Sequence, residues 1–230
     1  MISKILDSAA DAVRDIPDGA TVMIGGFGTA GQPVELIDAL LEAGARDLTI
    51  VNNNAGNGTT GLAALLAARR VRKIICSFPR QVDSQVFDGL YRAGELELEL
   101  VPQGTLAERI RAGGAGIAAF FTPTGFGTLL AEGKETRRFG GRDYVLEDAL
   151  TADYALIKAY RGDRLGNLVY RKTARNFAPM MASAARIAIV QVDRIEEVGA
   201  LDPEAVVTPG IFVKRLVEVG GARPPSTEGQ

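Results

Sequence analysis

Residues 18–33, with the sequence DGATVMIGGFGTAGQP, decide the fold of this chain, because they predict a buried strand running directly into a glycine-rich turn and a helix. Residues 21–24 are β-branched or apolar, as a strand covered on both faces requires. Four glycines follow, at Gly25, Gly26, Gly28 and Gly31. Glycines at the carboxyl end of a strand let the backbone approach a ligand closely. We therefore predict that residues 25–31, the glycine loop, belong to the functional site.

The glycine loop also fits the dinucleotide-binding pattern G-x-G-x-x-G, from Gly26 to Gly31. That pattern requires an acidic residue about 20 positions later for the ribose hydroxyls, but the next predicted strand, residues 48–51, ends in three asparagines. Pro33 predicts that the helix begins after the third glycine, with proline at its first position. These features favour a tight strand-to-helix turn over an NAD site.

Strands alternate with helices through the first half of the sequence. The predicted strands are residues 21–24, 48–51, 73–77 and 97–101, and the predicted helices are residues 33–43, 61–70, 83–93 and 105–112. This alternation predicts an α/β fold with an open, mainly parallel sheet and helices on both faces. After residue 121 the segments are shorter, with strands at 143–146 and 154–160, so we expect a more antiparallel second half.

The length of 230 residues and the hydrophobic content of 47% are sufficient for one large domain, which we predict to span residues 1–219. Residues 220–230 have no apolar pattern and predict a disordered tail. No stretch is long and apolar enough to span a membrane, and the first residues lack the apolar core of a signal peptide. We therefore expect a cytoplasmic protein.

The composition excludes several classes of function. A net charge of −2 gives no net positive field for nucleic acid or an anionic membrane. The single cysteine, Cys76, excludes an internal disulfide and lies in an apolar run typical of a buried strand. The absence of histidine excludes a Ser-His-Asp triad and histidine metal ligands, so we expect no metal. The remaining chemistry must use carboxylate, amide, hydroxyl, lysine or backbone groups.

Polar or glycine-rich residues follow four consecutive predicted strands. After the glycine loop they are residues 52–54, 77–80 and 102–104. Ligands of open parallel sheets bind in the crevice beyond the carboxyl ends of the strands. Each segment alone is also typical of an ordinary turn, but their recurrence at one edge of the sheet favours a binding site there.

These segments resemble the sequence blocks of family I coenzyme A transferases, in the half of the enzyme called the A subunit. The blocks occur in the family's order, at residues 18–33, 53–56, 102–116, 121–128 and 174–177. Within this family the chain most resembles the A subunits that act on 3-oxoadipate. The resemblance covers essentially residues 12–217.

The resemblance implies a reaction that moves coenzyme A from succinyl-CoA to a 3-oxoacid, with coenzyme A thioesters as substrates and no cofactor. It implies that Gln103 donates its amide to the carbonyl oxygen that becomes negative during transfer. It also implies contacts with substrate or coenzyme A from the start of the glycine loop and from the asparagines. The residues expected to make those contacts are Gly25, Gly26, Phe27, Gly28, Asn53 and Asn54.

The nucleophile of this family is a glutamate in the other half of the enzyme, the B subunit, within a Ser-Glu-Asn-Gly or Glu-x-Gly type motif. The present sequence has no Ser-Glu-Asn-Gly. We therefore expect half of an active site, completed by the B subunit in a heterodimer or heterotetramer. Of the chain's own glutamates, Glu35, Glu42 and Glu108 are predicted on solvated helix faces, and the sequence does not place Glu132 or Glu147.

We expect Arg80 to select a substrate with a second carboxylate, because it follows a predicted strand at the ligand-binding edge and Pro79 stiffens its turn. A surface arginine without this role is the alternative. For the whole chain, the alternatives are an acetoacetate-specific A subunit, a non-catalytic ligand-binding module on a related fold, and a sugar-phosphate isomerase. The last would need an acid–base pair that no motif here suggests.

Overall fold

The computed structural model describes residues 4–220, which form a large sheet, a small sheet and the helices around them. The strands are β1 (Thr21–Ile24), β2 (Leu48–Val51), β3 (Val71–Cys76), β4 (Glu97–Leu100), β5 (Ala119–Thr122), β6 (Thr136–Phe139), β7 (Arg142–Asp148), β8 (Ala152–Asp163), β9 (Leu168–Val169), β10 (Ala185–Glu196) and β11 (Val213–Glu218). The large sheet has the order β11-β10-β8-β1-β2-β3-β4, with β9 paired to β8, and the small sheet has the order β5-β7-β6. The helices are α1 (Ala9–Val13), α2 (Val34–Ala43), α3 (Leu62–Ala67), α4 (Gln85–Arg92), α5 (Gln103–Ala115) and α6 (Ala178–Ala184), and short 3-10 turns cover Leu129–Ala131, Lys172–Arg175 and Pro203–Ala205.

Helices cover both faces of the large sheet. Val22 and Ile24 of β1 belong to a core with α1 to α4, whereas Met23 between them belongs to a second core with α5 and α6. This alternation follows from the two-residue period of a strand, which sends successive side chains to opposite faces. The predicted fold class, a mainly parallel sheet covered on both sides, is confirmed.

The second half differs from the sequence prediction in one respect. The pattern at residues 154–160 predicts a strand of the antiparallel part, but β8 pairs parallel with both β1 and β10 in the middle of the large sheet. Its residues from Ala155 to Ile157 are fully buried, as in a central parallel strand. Antiparallel pairing of the named strands is confined, within residues 4–220, to the small sheet and the short β8–β9 ladder.

Some predicted boundaries shift by a few residues, and two of these shifts affect the site. Pro33 is the N-cap of α2, so the helix begins one residue later than expected. Gly44 ends α2 in the left-handed conformation at φ +87°, as predicted for a helix C-terminus. Helix α5 begins at Gln103, so Gln103 and Gly104 lie in its first turn instead of in a loop before it.

Strand β9 brings a later part of the chain to the glycine loop. β8 pairs with β1 only as far as Leu156, although it continues to Asp163. Beyond β1, the free edge of β8 is taken by β9, which runs antiparallel to it, while β10 keeps the other edge. The chain after β9 therefore returns towards the carboxyl end of β1, where the glycine loop begins.

The remaining expectations about the chain concern its extent. The domain bounds of 1–219 stay a prediction, and the predicted tail, apart from Gly220, lies outside the described residues. Among residues 4–220, no helix has the length and apolar character needed to cross a membrane. The same residues contain no cluster of three or more potential metal-ligating side chains from His, Cys, Asp and Glu.

Candidate active site

The carboxyl ends of β2, β3 and β4 bring three polar side chains together. Asn53 Oδ1 accepts hydrogen bonds from Gln103 Nε2 at 2.9 Å and from Ser77 Oγ at 2.8 Å. Asn53 is 3% exposed, whereas Gln103 is exposed at the N-terminus of α5. Buried Asn53 therefore fixes an exposed amide, and the second N–H of Gln103 Nε2 is free to donate to a ligand.

The position of Gln103 also favours negative charge on a ligand. Helix α5 has 13 residues, and no described side chain caps its N-terminus. The unpaired N–H groups of a first helical turn carry partial positive charge, which stabilises an anion placed nearby. Gln103 therefore combines a directed amide donor with the favourable end of a helix dipole.

The other two asparagines shape the loop after β2. Asn52 Nδ2 donates to the carbonyl of Ile24 at 2.6 Å, which joins this loop to the end of β1. Asn54 Oδ1 accepts from the backbone of Gly56, but Asn54 Nδ2 is buried with no hydrogen-bond partner among the described residues. A buried donor left unpaired costs roughly 1–3 kcal/mol, and Asn54, a predicted contact residue, is 0% exposed, so its amide does not reach solvent in the described chain.

The glycine loop is folded into a conformation that its glycines permit. Gly26, Gly28 and Gly31 have φ values of +129°, +61° and +73°, whereas Gly25 has an ordinary φ. A Cβ at Gly26 would lie 2.7 Å from Gln32 Cγ. Phe27, whose backbone pairs with Ala30 in both directions, is 50% exposed. Gly25 and Gly26 are buried and Gly28 is half-buried, so of the four predicted contact residues of the loop only Phe27 is exposed.

Asn176, which was not among the predicted site residues, binds backbone groups near both ends of this loop. Its Oδ1 accepts from the backbone N–H of Gly26 at 3.1 Å, and its Nδ2 donates to the carbonyl of Ala30 at 3.0 Å. A Cβ at Gly31 would overlap the carbonyl of Ala174. Residues 174–177 form one of the sequence blocks that resemble the family, and this resemblance was the only sign in the sequence that Asn176 matters. The contact with Gly26 could not be predicted from a local pattern, because it joins positions 150 apart in the chain.

Arg80 does not join this group. Its Nε donates to Asp88 Oδ1 of α4 at 2.6 Å, and its side chain borders a cavity of about 330 Å³ whose other walls are apolar or aromatic. Those walls are Phe78, Pro79, Phe87, Tyr91 and Leu98. Within residues 4–220, no hydrogen bond connects Arg80 to Gln103 or Asn53.

No carboxylate of the described chain hydrogen-bonds to Gln103 or Asn53. Glu35 accepts from Gln191 of β10, and Glu108 pairs with Arg111 on the surface of α5. Glu147, which the sequence leaves unplaced, is buried and accepts from Lys134 Nζ at 2.7 Å. The sulfur of Cys76 is also no candidate nucleophile, because burial raises the pKa of this thiol to about 12. The described site thus supplies amide and backbone donors without a nucleophile.

Comparison with known proteins identifies the family. The family model described as coenzyme A transferase matches residues 6–219. The chain belongs to the coenzyme A transferase family. The family resemblance of its sequence blocks is thereby confirmed.

Similar proteins fall within the same family. The chain is 68% identical over 222 residues to the A subunit of the 3-oxoadipate CoA-transferase of Pseudomonas putida, covering 96% of each chain. It is 56% identical over 214 residues to the A subunit of a succinyl-CoA:3-ketoacid coenzyme A transferase of Xanthomonas campestris pv. campestris, covering 93% of this chain and 88% of that one. The glutaconate coenzyme A-transferase of Acidaminococcus fermentans has the same fold, with a TM-score of 0.84 at 20% identity over 94% of this chain and 75% of that one.

Proposed function

We propose that this chain is the A subunit of a heteromeric coenzyme A transferase that moves coenzyme A from succinyl-CoA to a 3-oxoacid, with 3-oxoadipate as the preferred acceptor. The observation that carries the proposal is the 68% identity to the A subunit of a 3-oxoadipate CoA-transferase over nearly the whole of both chains. The geometry of Gln103 supports it, because a directed amide at a helix N-terminus suits a developing oxyanion.

The proposed reaction proceeds through acyl groups on a glutamate of the B subunit. The glutamate carboxylate attacks the succinyl thioester and expels the coenzyme A thiolate, leaving a mixed anhydride. The thiolate then attacks the glutamyl carbonyl of the anhydride, releasing succinate and forming a glutamyl thioester. The 3-oxoacid carboxylate repeats these steps in reverse and leaves as the coenzyme A thioester.

Each addition places negative charge on a carbonyl oxygen. In this proposal Gln103 Nε2 donates its free N–H to that oxygen, while its other N–H is held by Asn53. Asn53 is then a positioning residue, and Asn54 stays a predicted contact residue although its Nδ2 is buried in the described chain. The first four residues of the glycine loop, Gly25, Gly26, Phe27 and Gly28, form the backbone wall against which the thioester packs.

The partner follows from the missing nucleophile. Similar proteins are named as A subunits, and no glutamate of the described chain hydrogen-bonds to Gln103. A B subunit that carries the glutamate completes the site, in a heterodimer or a heterotetramer in the cytoplasm.

Acetoacetate is the second candidate acceptor, favoured by the 56% identity to the A subunit of a succinyl-CoA:3-ketoacid transferase. The two acceptors differ in the distal carboxylate of 3-oxoadipate. Arg80 is our candidate for binding this carboxylate, in which case the substrate must replace or share the ion pair with Asp88.

The test is to express the chain alone and together with the product of a neighbouring gene that encodes Ser-Glu-Asn-Gly, and to assay thioester exchange. We expect transfer only from the two-subunit complex, and a higher kcat/KM for 3-oxoadipate than for acetoacetate. Borohydride treatment after incubation with succinyl-CoA should modify only the partner that carries Ser-Glu-Asn-Gly. Transfer by the isolated chain would overturn the proposal. A higher kcat/KM for acetoacetate would make acetoacetate, and not 3-oxoadipate, the preferred acceptor.

A further inference from the structure

Three cations follow β9 in a short segment that we call the basic turn, residues 171–175. Arg171, Lys172 and Arg175 are all exposed, and none of their side chains forms an ion pair or a hydrogen bond with another described residue. Many other cations of this chain are paired. Arg80, Arg109 and Arg215, for example, each have a carboxylate partner.

The basic turn lies directly against the glycine loop. The carbonyl of Ala174 occupies the space that a side chain at Gly31 would need, and Asn176, the next residue after the turn, binds Gly26 and Ala30. The turn reaches this place because β9 occupies the edge of β8 just beyond β1. The turn that carries the three cations is therefore packed against the loop that we assign to the reacting thioester.

The backbone of the turn is held in a strained conformation. Lys172 has φ +52° and Asn176 has φ +22°, values that residues other than glycine rarely adopt. Strain of this kind persists only where surrounding contacts enforce it, and it concentrates at functional sites. Here the enforcing contacts are the hydrogen bonds of Asn176.

One cation is also oriented by an aromatic ring. The guanidinium carbon of Arg171 lies 5.6 Å from the centre of the Tyr160 ring. Tyr160 belongs to the part of β8 that extends beyond β1, four residues after Leu156, the last residue that pairs with β1. An arginine held against an aromatic face keeps its N–H groups available in a fixed plane, which suits the oxygens of a phosphate.

We propose that the basic turn binds the phosphate groups of coenzyme A, with Arg171, Lys172 and Arg175 as the ligands. This inference rests on the proposed function and specifies which of the two subunits holds the nucleotide end of the substrate. Coenzyme A carries a diphosphate and a 3′-phosphate at the end of a long flexible arm. Several exposed cations at the rim of the site match such a ligand better than the single carboxylate of a 3-oxoacid, which has to approach the reacting centre.

The experiment uses the two-subunit complex and the variants Arg171→Gln, Lys172→Gln, Arg175→Gln and the double variant Arg171→Gln/Arg175→Gln. Arg186→Gln is the matched control, because Arg186 is also exposed and has no described ion pair but lies at the amino end of β10, away from the glycine loop. KM is measured for succinyl-CoA and for succinyl-pantetheine, which lacks all the phosphates. Equilibrium binding of coenzyme A and of 3′-dephospho-coenzyme A to the complex is measured separately.

We expect each single substitution to raise KM for succinyl-CoA about three- to tenfold, and the double substitution to raise it further. KM for succinyl-pantetheine and for 3-oxoadipate should remain unchanged, as should every parameter of Arg186→Gln. The KM of the wild type for succinyl-CoA should increase with salt, and less steeply for the double variant. Unchanged turnover of succinyl-pantetheine also shows that a variant is folded and assembled.

Equal losses with succinyl-CoA and succinyl-pantetheine would overturn the proposal, as would a selective loss for 3-oxoadipate, which would assign the turn to the acceptor carboxylate. Coenzyme A that binds the double variant as tightly as the wild type would also refute it. If a variant does not assemble, the other two single substitutions decide the question. The proposed function fails separately, if the wild-type complex transfers no coenzyme A.

Discussion

Replacing Gln103 with alanine tests the centre of the proposed mechanism. The substitution removes the N–H that we assign to the oxyanion, and loss of one such donor lowers kcat by on the order of 10²–10³. KM should change less, because the ground-state carbonyl oxygen carries less charge than the oxyanion. Folding should survive, since Gln103 is exposed and its observed side-chain hydrogen bond is with Asn53.

The structure also predicts the effect of replacing Asn53, whose side chain orients Gln103. Asn53→Ala leaves Gln103 in place but removes the 2.9 Å hydrogen bond that orients its amide. A neutral hydrogen bond contributes about 0.5–1.5 kcal/mol, so kcat should fall by about two- to tenfold. Because Asn53 acts through Gln103 in this account, the double variant should be no slower than Gln103→Ala alone. Ser77→Ala is the control, since it removes the other donor to Asn53 Oδ1 and spares the Gln103 contact.

The assay is steady-state transfer from succinyl-CoA to 3-oxoadipate by the two-subunit complex, with thermal unfolding measured for each variant. Full kcat in Gln103→Ala would remove the oxyanion role and leave Gln103 as a helix-terminal surface residue. If the double variant instead lost the product of both single effects, Asn53 would act on the substrate directly, and the positioning argument would be wrong.

Three further predictions concern Asn176, Arg80 and Glu99. Asn176→Ala leaves the backbone groups of the glycine loop unpaired, so kcat/KM should fall about tenfold or more. Asn176→Asp keeps the acceptor oxygen, so its kcat/KM should fall less. If both variants were as active as wild type, the loop would not need the hydrogen bonds of Asn176. Arg80→Ala should lower kcat/KM for 3-oxoadipate relative to acetoacetate by about tenfold if Arg80 binds the distal carboxylate, whereas equal losses on both acceptors would exclude this role. Burial acts to raise the pKa of Glu99, but hydrogen bonds from Lys73 and Arg109 outweigh burial and lower this pKa. The ionised Glu99 therefore stabilises the folded state at neutral pH, and this contribution is lost as the pH falls through the lowered pKa. Between about pH 6 and about pH 3, the free energy of unfolding measured in urea should therefore fall less for Glu99→Gln than for wild type. An equal fall in both proteins would contradict this prediction.

The sequence predicts those parts of the fold that short-range patterns encode. The apolar run before Gly25, the helix ending at Gly44 and the strand–helix alternation up to α5 each depend on neighbouring residues, and the structure contains all three. The central place of β8 depends instead on which strand edges remain free after the first four strands have paired. A local pattern does not contain that information, so it does not predict the parallel pairing of β8 with β1 and β10.

The site residues also divide into those that a local sequence pattern predicts and those that depend on long-range contacts. The glycine loop and Gln103 follow predicted strands and could be identified from their own segments, whereas Asn176 contacts Gly26 across 150 positions. Whether a cation is free to bind a ligand also depends on residues that are distant in the sequence or on another element. Arg80 follows a strand at the ligand-binding edge, yet Asp88 of α4 already pairs with it, while the cations of residues 171–175 have no described carboxylate partner.

The absence of acidic side chains bonded to Gln103 among the described residues bears on the proposal that a B subunit supplies the nucleophile. In the described residues, the groups bonded to Gln103 and Asn53 are a neutral amide and a hydroxyl, and they lie at the positive end of α5. A carboxylate held permanently beside them would accept the same N–H groups in the resting state and would leave fewer donors for the oxyanion. In the proposed mechanism the glutamate of the B subunit approaches the substrate carbonyl from the side opposite Gln103, so Gln103 retains its free N–H. In this proposal the donors of this chain and the nucleophile of the B subunit are complementary parts of one site, and their placement on opposite sides of the carbonyl preserves the function of each.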